Sequence, residues 1–216
     1  MEQDENYGEV VPKDSANPGN NKLFKALTNK EVLSLGLAST MFEGSMYLFV
    51  FSWGPTLEAA HHDPSPLPYG TIFAAFMASM MASSLLFTRV GAAAHGKLLA
   101  GLLAASTGIF YMLSRAPGSE QTTFWLFCAF EACVGVYWPC VGVLKGKVID
   151  DAVRARVYTI LRIPLNVFVV VALLMTGDGE GGGYGGVFGT CAGLLLVAAL
   201  VMVALGTRTG AGQEKR

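Results

Sequence analysis

The chain has 216 residues, of which 52% are hydrophobic and only 14% charged. Soluble domains carry about 25% charge, so the shortfall excludes disorder over most of the chain and argues against an ordinary water-soluble domain. A spanning helix takes about 20 apolar residues, which gives this length room for six or seven spans and not for a carrier of about twelve. The net charge of −1 says little in itself.

Residues 1–29 are polar, with no apolar core to offset the entropy of ordering, and read as a flexible tail. They lack the basic start and apolar stretch of a signal peptide. Six apolar runs follow. The first spans about Val32 to Pro55, and a loop with His61, His62, Asp63 and three prolines follows it. The second spans Tyr69 to Phe87, the third Leu98 to Leu113, and the fourth Thr122 to Leu144. The fifth runs from Val157 to Met175, led in by a short polar helix near Asp150 and Asp151, where aspartate is a good N-cap. The sixth runs from Tyr184 to Leu205, and residues 207–216 form a second polar tail. The runs are too continuous for alternating barrel strands, so helices are expected. The expected fold is all-α and polytopic, with a bundle of six transmembrane helices over residues 30–206.

Charge placement orients the bundle. With the N-terminal tail in the cytoplasm and six alternating spans, 14 of the 15 Lys and Arg residues fall on the cytoplasmic side, and Arg115 alone falls outside. Such asymmetry follows the positive-inside rule, and a missed or extra span would scramble it. Both termini are then cytoplasmic, and Trp53 and Trp125 sit near the outer interface. Ala74, Ala78 and Ala82 in the second run, with Ala75, Ser79 and Ser83 beside them, and Gly189 and Gly193 in the sixth, are small residues at spacing four and read as packing faces.

Three charges remain inside the spans: Glu43, Glu131 and Arg162. At 1.5 Å per residue both glutamates lie near the midplane, where a carboxylate costs about 2.5–3.5 kcal/mol on the insertion scale. Each faces a wet cavity or is protonated and bonded to a neighbouring helix. Arg162 either snorkels to the headgroups or faces an anion or a glutamate. Pro139 and Pro164 each remove a helix hydrogen bond nearby, as static kinks or as breaks beside a substrate path. Tyr47, Tyr137 and Asn166 are placed to line the same cavity; Trp138 reads better as packing.

The glutamates sit in similar surroundings. Phe42-Glu43-Gly44-Ser45-Met46-Tyr47 precedes Trp53-Gly54-Pro55, and Phe130-Glu131-Ala132-Cys133-Val134 precedes Tyr137-Trp138-Pro139. The two helices run in opposite directions through the membrane. That is the mark of a three-plus-three inverted repeat with its site at the midplane.

Other patterns carry no function. The glycine-rich stretch Gly177 to Gly183 lacks the Lys-Ser/Thr of a phosphate loop and reads as a linker. Two adjacent histidines, His61 and His62, do not both point at one metal from a regular helix. Cys128, Cys133, Cys140 and Cys191 show no CxxC spacing and read as small buried apolar residues. No cofactor, metal or catalytic constellation is expected, so the chain is not read as an enzyme. The basic run Lys145 to Arg156 reads as topology and attraction to lipid headgroups, not as a nucleic-acid contact.

The segments MFEGSMYLFVFSWGPTLE (41–58), GTIFAAFMASMMASSLLF (70–87), FEACVGVYWPCVGVLKGKVID (130–150) and ILRIPLN (160–166) resemble the C-terminal half of the molybdate-anion transporter family of the major facilitator superfamily. The loop motif general to that superfamily is not visible after Thr88. The resemblance implies one half of a twelve-helix carrier, taking up molybdate by alternating access in the plasma membrane, with Glu43 and Glu131 on cavity-lining helices. Its partners would be the oxyanion, membrane lipid, and either an N-terminal six-helix half or a second copy of the chain. A non-transport membrane scaffold derived from a carrier is the remaining reading.

Overall fold

A computed structural model describes residues 18–89, 91, 94–115, 119–177 and 185–213. The described residues form seven α-helices and no strand: α1 (Pro18–Leu27), α2 (Lys30–Ala60), α3 (Tyr69–Phe87), α4 (His95–Ser114), α5 (Glu120–Val148), α6 (Arg154–Gly177) and α7 (Gly185–Gln213). Of these, α2, α3, α4, α5 and α7 are long and apolar enough to cross a membrane. The sequence led us to expect six such spans. The helix at the fifth expected span is α6, of 24 residues, with Arg154, Arg156 and Arg162 in its first turns. The chain is thus a polytopic membrane helix bundle. The glycine-rich linker lies almost wholly outside the described residues.

Helix ends depart from the apolar runs for local reasons. Asn29 caps α2 by accepting from the Glu31 backbone N–H at 2.9 Å, and Ser119 caps α5 through the Thr122 N–H at 3.2 Å. The first run was expected to end at Pro55, yet α2 continues to Ala60. A proline costs a helix one hydrogen bond and need not end it. The expected polar lead-in helix at Asp150 is a turn instead. Asp150 accepts from Ala152 N–H at 3.1 Å, and Arg154 reaches back to the carbonyls of Gly146 and Ile149.

Part of the segment expected as a flexible tail is helical. Leu23, Ala26 and Leu27 on α1 pack against Val32, Ile149, Val153 and Val157. Four apolar positions on the α5–α6 corner and the start of α2 supply the surface that α1 alone lacks.

Contacts between α2 and α5 show that they are antiparallel: Glu43 meets Lys145, Phe42 meets Tyr137, Phe49 meets Phe127, and His61 meets Glu120. As one number climbs, the other falls. The packing has a further regularity. Helix α2 packs on α5, α6 and α7; helix α5 packs on α2, α3 and α4; and α4 packs on α7. Exchanging α2 with α5, α3 with α6 and α4 with α7 leaves this set unchanged, as an inverted repeat requires. Phe42 and Phe130, equivalent in the repeated motif, are both fully buried with ring centroids 5.8 Å apart.

The stripes at spacing four turn outward, whereas Ala75, Ser79 and Ser83 beside the α3 stripe face the bundle. Ala74, Ala78 and Ala82 are exposed, whereas α3 buries Ile72, Phe76 and Ser83. On α7 the buried stripe is Phe188, Cys191, Ala192, Leu195, Ala198 and Ala199, with Gly189 and Gly193 exposed. Tight approach occurs elsewhere: a Cβ on Gly135 of α5 would collide with the Met80 carbonyl and Ser83 hydroxyl of α3.

Candidate functional site

A polar cluster bridges α2, α5 and α6 around Glu43. Glu43 is 7% exposed, and its Oε1 accepts a hydrogen bond from the Tyr137 hydroxyl at 2.9 Å. The Lys145 Nζ lies 3.6 Å from the same oxygen. Tyr137, Val141 and Lys145 follow one another at spacing four on α5, so they share a face. Helical side chains lean towards the N-terminus of their own helix. Because α2 and α5 are antiparallel, Glu43 and Lys145 lean towards each other. The Tyr137 ring stacks on Phe42 at 4.0 Å between centroids, which fixes where its hydroxyl points.

Lys145 also sits 5.6 Å from the centre of the Tyr158 ring on α6, within cation–π reach. Arg162, one helical turn further on, is close enough to act electrostatically on Lys145. Two opposite unit charges 4 Å apart attract by about 4 kcal/mol at an effective dielectric constant of 20. Losing either partner leaves the other partly desolvated and uncompensated.

These groups open onto a cavity of about 450 Å³ walled by α2, α5 and α6. Glycines shape it. At Gly36 an added Cβ would lie 2.6 Å from Leu161 Cδ2, and at Gly44 it would meet the Phe168 ring. Helix α6 is thus pressed onto α2 at two rungs. Ser39, Thr40 and Glu43 line the space between them, facing Arg162 and Leu165. The Ser39 hydroxyl is buried in this wall, near the Tyr137 hydroxyl. With Glu43 ionised, the cavity holds two cations and one carboxylate, a formal charge of +1. It suits a small anion bearing several acceptor oxygens.

Of the residues singled out in the sequence, Glu43, Tyr137 and Arg162 come together here, and Trp138 lines the same cavity despite its expected packing role. Glu131 does not join them. It is also 7% exposed, but it lies on the face of α5 that opposes α3, between Cys128, which is beside Ser79, and Gly135, which is against Met80 and Ser83. No described residue hydrogen-bonds or ion-pairs with its carboxylate. Tyr47 and Asn166 are exposed, one turn beyond Glu43 and Arg162 on their helices and outside the cavity wall. Lys145 is the residue that sequence reasoning missed: it read as a topology charge, although its register with Tyr137 on α5 marked it.

A second cavity, of about 580 Å³, lies at the opposite end of the bundle, with His62, Asp63 and Glu120 in its wall. Beside it, His61 Nδ1 is 2.7 Å from Glu120 Oε2 and its Nε2 is 2.8 Å from the Ser65 carbonyl. Both ring nitrogens face acceptors, so the hydrogen bond to Glu120 and then that to Ser65 raise the His61 pKa above its usual 6.5. The Ser65 backbone N–H holds Asp63 below the ordinary carboxylate value. His61 is a clasp between the end of α2, the α2–α3 loop and the start of α5. Among the described residues no three His, Cys, Asp or Glu side chains gather to hold a metal.

Comparison with known proteins agrees with this architecture. Residues 2–103 match the major facilitator family model described as sugar transporters with 12 transmembrane segments. The molybdate-anion transporter of Takifugu rubripes is 34% identical over 198 residues, which cover 84% of this chain and 40% of the relative. That of Danio rerio is 34% identical over 197 residues, with the same coverage of 84% and 40%. That of Xenopus tropicalis is 31% identical over 224 aligned positions, covering all of this chain and 48% of the relative. No solved structure matches the chain. The chain spans about half the length of the curated relatives it matches, and it belongs to the molybdate-anion transporter family of the major facilitator superfamily.

Proposed function

We propose that this chain is the C-terminal half of a plasma-membrane carrier that takes up molybdate or a closely related oxyanion by alternating access, with both of its termini cytoplasmic. The observation that carries the reading is the cavity between α2, α5 and α6, where Lys145 and Arg162 face a single carboxylate. Net positive charge on mobile walls is what an oxyanion path needs. Arg162 is the oxyanion-facing cation, because Lys145 is already engaged by Glu43. Tyr47 and Asn166, exposed on α2 and α6 next to the cavity, extend the path towards the half that completes it. Glu131 serves the equivalent position on the α3 side.

The test is uptake of radiolabelled molybdate in the cells that make this protein, with the Arg162→Gln codon edited in place so that the rest of the gene is untouched. Uptake at least tenfold lower at unchanged membrane abundance is expected. Wild-type uptake by the edited cells would overturn the reading, as would wild-type cells showing no carrier-mediated molybdate entry.

A further inference from the structure

We infer that the Glu43 carboxylate is a built-in competitor of the transported oxyanion for Lys145. This deepens the proposed function and rests on it. The geometry assigns Lys145 as a second binding cation, held in reserve. Its ammonium is turned into the cavity and not out to headgroups: it contacts Glu43 on one side at 3.6 Å and the Tyr158 ring on the other. The same wall carries Arg162. A carboxylate oxygen on Lys145 therefore occupies the place that an oxyanion oxygen takes when the anion bridges Lys145 and Arg162.

Two features allow the exchange. The ion pair is long, at 3.6 Å, beyond the 2.7–2.9 Å of a tight charge-assisted hydrogen bond, so Lys145 is held but not locked. Glu43 also has a second holder. The Tyr137 hydroxyl, fixed by stacking on Phe42, keeps its bond to the carboxylate when Lys145 leaves. Ser39, one turn before Glu43 on α2 with a buried hydroxyl in the same wall, offers the displaced carboxylate or the anion a further donor. A dianion brings two negative charges to a pair of cations, whereas Glu43 brings one, so the dianion wins Lys145 when it enters. When the anion is to leave, the tethered carboxylate returns to Lys145 and ejects it. No proton need move in either step.

The experiment measures molybdate uptake kinetics in cells edited in place to Glu43→Gln, Glu43→Asp, Lys145→Gln and the double variant Glu43→Gln/Lys145→Gln, with membrane abundance measured for each. Removing the competitor has a signature that loss of structure does not share. Glu43→Gln should lower KM about fivefold and also lower the maximal rate, because release has lost its driver. Glu43→Asp, with its carboxylate drawn back by one methylene, should shift both values the same way by less, and it serves if the glutamine variant does not accumulate. Lys145→Gln should raise KM at least tenfold, and the double variant should match it, since Glu43 acts only through Lys145. A rise in KM on shortening or neutralising Glu43, or an unchanged KM in Lys145→Gln, would overturn the inference. If Arg162→Gln abolishes uptake while the Lys145 variant behaves as wild type, this inference fails and the oxyanion carrier stands. If wild-type cells show no molybdate entry, the functional reading fails first.

Discussion

The Tyr137 hydroxyl reaches across 94 positions of sequence to donate to Glu43 at 2.9 Å, inside a pair of helices that also meet through aromatic rings. That bond joins the two halves of the bundle through polar atoms. Around it the contact is Phe42 on Tyr137 and Phe49 between Phe127 and Phe130.

Tyr137→Phe keeps the ring stacked on Phe42 and removes only the hydroxyl. A hydrogen bond to a charged acceptor contributes about 1.5–3 kcal/mol. Thermal unfolding of the purified chain in detergent should show a loss of about 2 kcal/mol. A variant as stable as wild type would mean that the hydroxyl contributes nothing to holding Glu43.

Gly135→Ala should separate α3 from α5. The new methyl meets the Met80 backbone carbonyl, which cannot rotate away as a side chain can. Gly108→Ala on α4 is the control, because its added Cβ meets nothing within 4 Å. In the helix interior that control gains about 0.5–1 kcal/mol from reduced backbone freedom. Melting temperatures should therefore move in opposite directions, down for Gly135→Ala and level or up for Gly108→Ala.

The His61–Glu120 clasp should make the stability of that end of the bundle depend on pH. The folded-state pKa of His61 is raised above 6.5, so the stabilisation is fully present below 6.5 and is lost as pH rises through the elevated value. Melting curves of wild type and His61→Asn should differ most at and below pH 6.5 and converge on the alkaline side. A difference that grows with pH would contradict the assigned proton. Direct titration of the His61 ring by NMR, with and without Glu120→Gln, reads the shift itself.

Docking of α1 can be tested by proteolysis. Leu23→Asp with Leu27→Asp places charge against the Val32, Ile149, Val153 and Val157 surface and should release the helix. Trypsin should then cut at Lys22, Lys25 or Lys30 many times faster than in wild type. Equal rates would show that α1 is not held there.

Much of the fold was legible because lipid imposes long apolar runs: an unsatisfied backbone has no partner in hydrocarbon. The order of the spans follows from that, and the repeat of Phe42-Glu43 in Phe130-Glu131 is read directly from the sequence. Facing was not legible. A helix that is apolar all round carries no amphipathic stripe, so nothing in Ala74, Ala78 and Ala82 told inward from outward. Glu43 and Glu131 satisfied the same depth rule, yet one meets Tyr137 and Lys145 and the other faces α3. Lys145 was hidden for a different reason. Positive charge at a span end already has a sufficient explanation in topology, and only the antiparallel register of α2 and α5 turns this ammonium inward.

The exchange symmetry of the bundle has a consequence at the level of single side chains. Laying Phe42-Glu43 on Phe130-Glu131 puts Phe49 where Tyr137 stands, Leu57 where Lys145 stands and Ala74 where Arg162 stands. Glu131 has no counterpart of Tyr137 or Lys145 because its mirror positions are apolar, and Phe49 and Leu57 are each buried to 1% exposure. The backbone reads the same from either side of the membrane, and the charges do not. A scaffold indifferent to direction carries a hydroxyl and two cations in one of its two copies and apolar side chains at the matching positions of the other.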